Sequence, residues 1–279
     1  MRMLEGELWE YMGKVYIVKG FQHPEDMLIA YPRYSLYTAE KIQGWLQGSG
    51  LNTVYWECIK SKVPVIPLSG STCFQQRTSL RVQLIPVLLR DVLGLDEGDI
   101  YVSGSSRVLA EHGDVDVVVY GAGEDLVHDL ENLVGRGVFK RVNEWVLVRE
   151  YLEKHSGRMS LADYLWFKRD TVLHLDVMGY HVNLRPVVYT KGVQGCIDPV
   201  HRVSKYTGRL RVIEQVSSRL IPSRYIAVLE GGEEVVLESM REVYSELALG
   251  NYIVIEGRIE ERRGGLYLVP DHGVLKPTL

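Results

Sequence analysis

The sequence predicts an α+β protein: a β-rich segment over residues 1–76, a mixed sheet with flanking helices over 77–200, and a small β-barrel over 201–279. Three observations carry that prediction. Short apolar runs bounded by turn residues open the chain, and helical and strand periodicities alternate through its middle. Five strand-like runs, punctuated by Gly231-Gly232 and Gly264-Gly265, close it.

In order, residues 15–20 and 27–31 read as two strands joined by a turn-rich connection at 21–26. Residues 38–46 read as a short helix capped by Thr38. Pro64 and Pro67 argue against a central strand at 63–67, because proline brings no N–H to a ladder. Lys19, His23, Arg33 and Tyr34 are the polar side chains here that a substrate could meet, although such residues on a hairpin are more often simply solvated.

A helix is expected over 78–93, with Leu80, Leu84, Leu88 and Val92 on one stripe, Pro86 as a kink or a later start, and Gly94 as its stop. Residues 100–103 then form a strand running into Gly104-Ser105. About two turns of helix follow, and Gly113 leads to a second strand that opens with Asp114-Val115-Asp116.

Side chains two apart share a strand face, so Asp114 and Asp116 lie side by side while Val115, Val117 and Val119 form the opposite, apolar face. Adjacent carboxylates repel one another unless a cation sits with them, so this strand mouth asks for a divalent metal. Gly104 lets backbone approach a bulky anion. The N–H groups that open a helix, together with the Ser105 hydroxyl, favour phosphate oxygens.

Gly104-Ser105, a spacer of eight residues and Asp114-Val115-Asp116 inside an apolar strand resemble the defining motif of the DNA polymerase beta-like nucleotidyltransferase superfamily. The resemblance implies a nucleotidyltransferase core, a mixed sheet with flanking helices. It also implies transfer of a nucleoside monophosphate from an NTP to an acceptor hydroxyl, with release of pyrophosphate. Members carry a third strand acid, for which Asp176, sixty residues beyond Asp116, is the candidate. On this analogy Asp114, Asp116 and Asp176 are the catalytic and metal-binding residues for Mg2+ (or Mn2+), and Asp176 also accepts the proton of the acceptor. Gly104, Ser105, Ser106, Arg107 and Lys168 are the corresponding nucleotide-binding candidates. The chain departs from many relatives in carrying Gly113 where they have serine.

Further along, 124–134 has helical spacing, 145–148 (Trp-Val-Leu-Val) reads as a strand, 161–168 as a helix and 171–179 as the strand of Asp176. His174 on that strand either assists a leaving phosphate or simply packs. The tail offers strands at 209–216, 225–229, 234–237, 252–259 and 266–269, with a helix at 239–249 between the third and fourth. This layout resembles an OB-fold barrel. Such barrels stack bases on aromatics in a basic groove, and Tyr206, Arg209, Arg211, Tyr225, Arg258, Arg262, Arg263 and Tyr267 are candidates for contacting RNA or other single-stranded nucleic acid. Eleven acids against eleven bases over 201–279 leave a structural or protein-binding barrel equally open.

A net charge of −4 excludes an all-over electrostatic grip on nucleic acid. Cys58, Cys73 and Cys196 show no paired spacing and read as buried apolar residues of a reducing cytoplasm. Glu5, Glu7 and Glu10 interrupt any signal-peptide core, and no apolar run reaches membrane-spanning length, so a cytoplasmic protein is expected. Many Arg and Glu with few Asn suit a thermophile. The rival to an enzyme is a non-catalytic nucleic-acid-binding or protein-interaction module on the same scaffold.

Overall fold

The chain folds as a strand-rich α/β mixture in two compact units, each assembled from two separate stretches: residues 1–121 with 182–199, and 122–181 with 200–279. The computed structural model describes residues 2–42, 52–75, 79–109 and 113–278. The segment expected as one core, 77–200, contributes to both units.

In the first unit both expected N-terminal strands form, as Lys14–Val18 and Met27–Ser35, paired antiparallel within a larger sheet. Trp9, Tyr16, Val18, Leu28, Ala30 and Ile66 pack together in one core cluster, and Leu8, Val15 and Tyr34 pack with Phe74 and Val108 in another. Contrary to expectation, Ser61–Pro67 is an interior strand. Its register explains how the prolines are tolerated. Residues from Ser61 to Pro64 pair with Thr53–Trp56, whereas Val65, Ile66 and Pro67 pair with Ile29, Leu28 and Met27. One missing N–H falls where the strand changes partner and the other at its end. Residues 38–42 form a turn and the strand Glu40–Lys41 rather than a helix, and the rest of that expected helix lies outside the described residues.

The helix Leu80–Leu93 starts at Ser79, whose Oγ accepts the Val82 N–H at 3.4 Å, and stops at Gly94, left-handed at φ 65°. Pro86 stays inside it. The helix buries Val82, Ile85 and Leu89, whereas Leu80, Leu84 and Val92 of the expected stripe are exposed. With apolar residues on both stripes, period alone did not choose the face.

Two buried acids fix the start of the chain. Glu7 accepts from the Met3 N–H at 2.8 Å and the Trp9 indole at 3.3 Å, and Glu5 accepts from Lys19 Nζ at 2.7 Å and the Gly20 N–H at 2.8 Å. His23 is fully buried, with Nδ1 accepting the Ile29 N–H at 3.2 Å and Nε2 at 2.8 Å from the Met3 carbonyl. Nδ1 must therefore be the unprotonated nitrogen. Burial lowers the His23 pKa from its ordinary 6.5, against the Met3 carbonyl and Glu5, which favour the charged form. The stability His23 confers is thus intact above pH 6.5 and fades as pH falls below it. In thermal melts from neutral to acidic pH, the wild type should lose more stability than His23→Gln; parallel losses would refute this.

Cys58 and Cys196 form a disulfide, with Cα atoms 5.5 Å apart, which corrects the reading of three free cysteines. Among the described residues Cys73 is the free one, and the odd-count argument for a reducing compartment no longer applies. No helix among them is long and apolar enough to cross a membrane.

In the second unit, Glu124–Gly135 is helical as expected. The run expected as a strand at 145–148 is instead the helix Glu144–Glu150, because Asn143 Oδ1 caps it by accepting the Trp145 N–H at 3.0 Å. Leu147 is buried while Trp145 is exposed. The helix Leu161–Lys168 is capped by Ser160 and delivers Tyr164 and Phe167 to the barrel core. Five strands, Arg202–Ser217, Ser223–Leu229, Glu234–Ser239, Gly250–Arg262 and Gly265–Val269, close a barrel in the order first, second, third, fifth, fourth, first. The third and fifth run parallel. Leu210, Tyr225, Leu237, Tyr252, Val254 and Leu268 fill it. The helix expected at 239–249 shrinks to the single turn Glu242–Tyr244. Tyr244 there is fully buried, its hydroxyl accepting the Leu275 N–H at 3.0 Å.

Candidate functional site

The strand Val115–Tyr120 lies between Ile100–Ser103, antiparallel with Ser103 opposite Asp116, and Tyr180–Val187, parallel with Asn183 beside Asp116. Val115, Val117, Val118, Val119 and Tyr120 are all buried. The two acids at the mouth of this apolar strand converge as period two requires. Asn183 Nδ2 donates to Asp114 Oδ2 at 2.9 Å and to Asp116 Oδ1 at 3.3 Å. Asn183 is itself buried, and its Oδ1 has no hydrogen-bond partner.

Gly104 sits at φ 68° and ψ −157°, a backbone region that is essentially glycine's alone. A Cβ there would fall 1.9 Å from Asp116 Oδ2, so glycine is what lets the loop pass the carboxylate. The helix that follows is only Ser105–Val108, one turn rather than two, and residues 110–112 lie outside the described residues. Ser105 is half-buried. Ser106 is buried and its Oγ donates to the Ser103 carbonyl at 3.3 Å, so its hydroxyl serves the turn.

Arg107 differs from the expectation of a nucleotide ligand. Its guanidinium donates to the Val102 carbonyl at 3.0 Å and the Phe74 carbonyl at 3.1 Å, and lies over the Tyr101 ring at 4.3 Å. It clamps the loop to the N-terminal segment. Ser103 Oγ, donating to the Gly6 carbonyl at 2.6 Å, and the Leu8 N–H, donating to the Tyr101 hydroxyl at 3.0 Å, add to that tie.

The N-terminal sheet also contributes to the site. The buried Tyr34 hydroxyl is pushed up to about 12 by burial, against the pull of Arg33 and with the push of Asp116 and Asp114. Tyr34 is therefore an electrostatic neighbour of the carboxylate pair.

Asp176 and Lys168 belong to the second unit. Asp176 is exposed, and its Oδ1 accepts the Gly179 N–H at 2.9 Å. Lys168 is buried, with Nζ donating to the Glu242 carbonyl at 3.0 Å and lying 3.6 Å from Glu246, so its ammonium is spent inside the fold rather than offered to a triphosphate. His174 is likewise buried, between Glu150 and Glu242. Sequence reasoning missed Asn183. The available signal was one amide between Val182 and Leu184 in an otherwise apolar strand.

No family model, curated protein or solved structure matches this chain. The donor set speaks for itself. Two carboxylates are hard oxygen donors of the kind that suit Mg2+ or Mn2+.

The barrel offers less to nucleic acid than its sequence suggested. Tyr225 is fully buried. Arg258 pairs with Glu260 at 2.8 Å, and Arg262 pairs with Glu238 at 2.8 Å and Glu260 at 2.6 Å while covering the Tyr267 ring. Arg209, Arg211 and Arg263 remain exposed.

Proposed function

We propose that this chain is a metal-dependent nucleotidyltransferase that moves a nucleoside monophosphate from an NTP to an acceptor hydroxyl. The observation that carries the reading is the convergence of Asp114 and Asp116 on one buried amide, beside a glycine whose missing side chain leaves room at Asp116. Such a carboxylate pair is costly to hold together without positive charge.

In this reading Asp114 and Asp116 hold Mg2+ or Mn2+, and Asn183 holds their oxygens together. The metal supplies charge neutralisation for the triphosphate and an activated acceptor oxygen. Gly104 and Ser105 border the phosphates. The acceptor hydroxyl gives up its proton to a carboxylate as its oxygen bonds to the α-phosphorus and pyrophosphate leaves.

The test is incubation of the full chain with each labelled NTP, Mg2+ or Mn2+, and total RNA, protein or small-molecule extracts of its host. Label should enter one acceptor class with the wild type and not with Asp114→Asn/Asp116→Asn. Labelling that is equal in both proteins, or absent with every nucleotide and acceptor, would sink the reading.

A further inference from the structure

The second unit carries another cluster that the transferase reading does not use. Glu150 ends the helix Glu144–Glu150, His174 lies on the strand His174–Val177, and His181 lies on the strand Tyr180–Val187. Each offers one ligand atom, and the three atoms lie within 4.8 Å of one another. His174 Nδ1 is 3.2 Å from Glu150 Oε2 and 3.4 Å from His181 Nε2. A tetrahedral ion with bonds of about 2.0–2.2 Å sets its ligand atoms about 3.3–3.6 Å apart, so both spacings are close to the edges of such a polyhedron.

The surroundings fit the same purpose. His174 Nε2 lies 3.0 Å from Glu242 Oε1, and a carboxylate on the far nitrogen fixes the tautomer that leaves Nδ1 free to bind a metal. Glu150 Oε2 is buried, with His174 Nδ1 as its polar neighbour at 3.2 Å. The Tyr164 hydroxyl, on a fully buried side chain, faces the same Glu150 carboxylate. His181 is half-buried, which gives a route in from solvent.

We propose that Glu150, His174 and His181 bind one zinc ion, with Glu242 orienting His174. Two imidazoles and one carboxylate make a borderline donor set suited to zinc rather than to magnesium. The ion ties the end of a helix to two strands. Water or the Tyr164 hydroxyl fills the fourth position. The site is independent of the carboxylate pair at Asp114 and Asp116.

The test uses the full chain, purified without a histidine tag. Metal analysis should give one equivalent of zinc per chain. After chelation, cobalt(II) should restore one equivalent, with the intense visible absorption of a four-coordinate centre. Asp114→Asn/Asp116→Asn should keep that spectrum, and His181→Ala should lose it while circular dichroism stays that of the wild type. If His181→Ala does not fold, Glu242→Gln decides, since it keeps all three ligands and should weaken binding by about 10–100-fold. A folded wild type with only traces of zinc and no cobalt spectrum overturns the proposal. So does undiminished binding in His181→Ala or, where that variant is unfolded, in Glu242→Gln.

Discussion

Gly104→Ala should reduce nucleotidyl transfer by about a hundredfold or more, the loss that follows when a reacting group moves by about an ångström. The added methyl would fall 1.9 Å from Asp116 Oδ2 and 2.8 Å from its Cγ, and the backbone it sits on belongs to a region that alanine scarcely visits. Relief comes only by moving the loop or swinging Asp116 away from Asn183. Strain of about 1–3 kcal/mol is expected from the backbone alone, so the variant should still fold and melt modestly lower. The two readouts separate the effects: wild-type turnover would refute the role assigned to Asp116, whereas lost turnover with an unchanged melt would locate the damage at the site.

Lys168→Met should destabilise the second unit by about 3–5 kcal/mol, the usual cost of removing one partner of a buried ion pair. Methionine can follow the lysine stem but leaves the Glu246 carboxylate, 7% exposed, without its ammonium neighbour, and removes one of the donors to the Glu242 carbonyl. Urea unfolding measures the loss. Adding Glu246→Gln should recover part of it by discharging the stranded acid, even though that acid also lies 3.5 Å from Arg219. No recovery would mean that the lysine acts chiefly through the Glu242 carbonyl.

The features legible in the sequence were those with a local signature. Asp114 and Asp116 could be placed on one face because a strand repeats every two residues, and Gly104 could be singled out because glycine ahead of a helix lets backbone approach a bulky anion. The five barrel strands and the helix that stops at Gly94 were similarly self-announcing, apart from the buried face of that helix. What stayed hidden depended on remote partners. Asn183 gained its meaning from Asp116, 67 residues earlier, and Cys58 from Cys196, 138 residues away. The run Trp145-Val-Leu-Val148 looked extended by its β-branched residues, yet one capping asparagine and burial of Leu147 made it a helix. Pro64 misled because the rule against proline in an inner strand assumes one partner along the whole length. Lys168 and Arg107 read as nucleotide-binding candidates because nothing local revealed that backbone carbonyls awaited them.

The first unit borrows its closing stretch from beyond residue 181, and this sets an order of events on the ribosome. Asp114 and Asp116 are synthesised before Asn183, the residue that holds their oxygens together. Until it emerges, the strand Val115–Tyr120 has one flank without the pairing it later makes. A nascent chain or an expressed fragment stopping at residue 121 therefore carries mutually repelling acids on an open sheet edge, and it should behave as an aggregation-prone intermediate rather than as a domain.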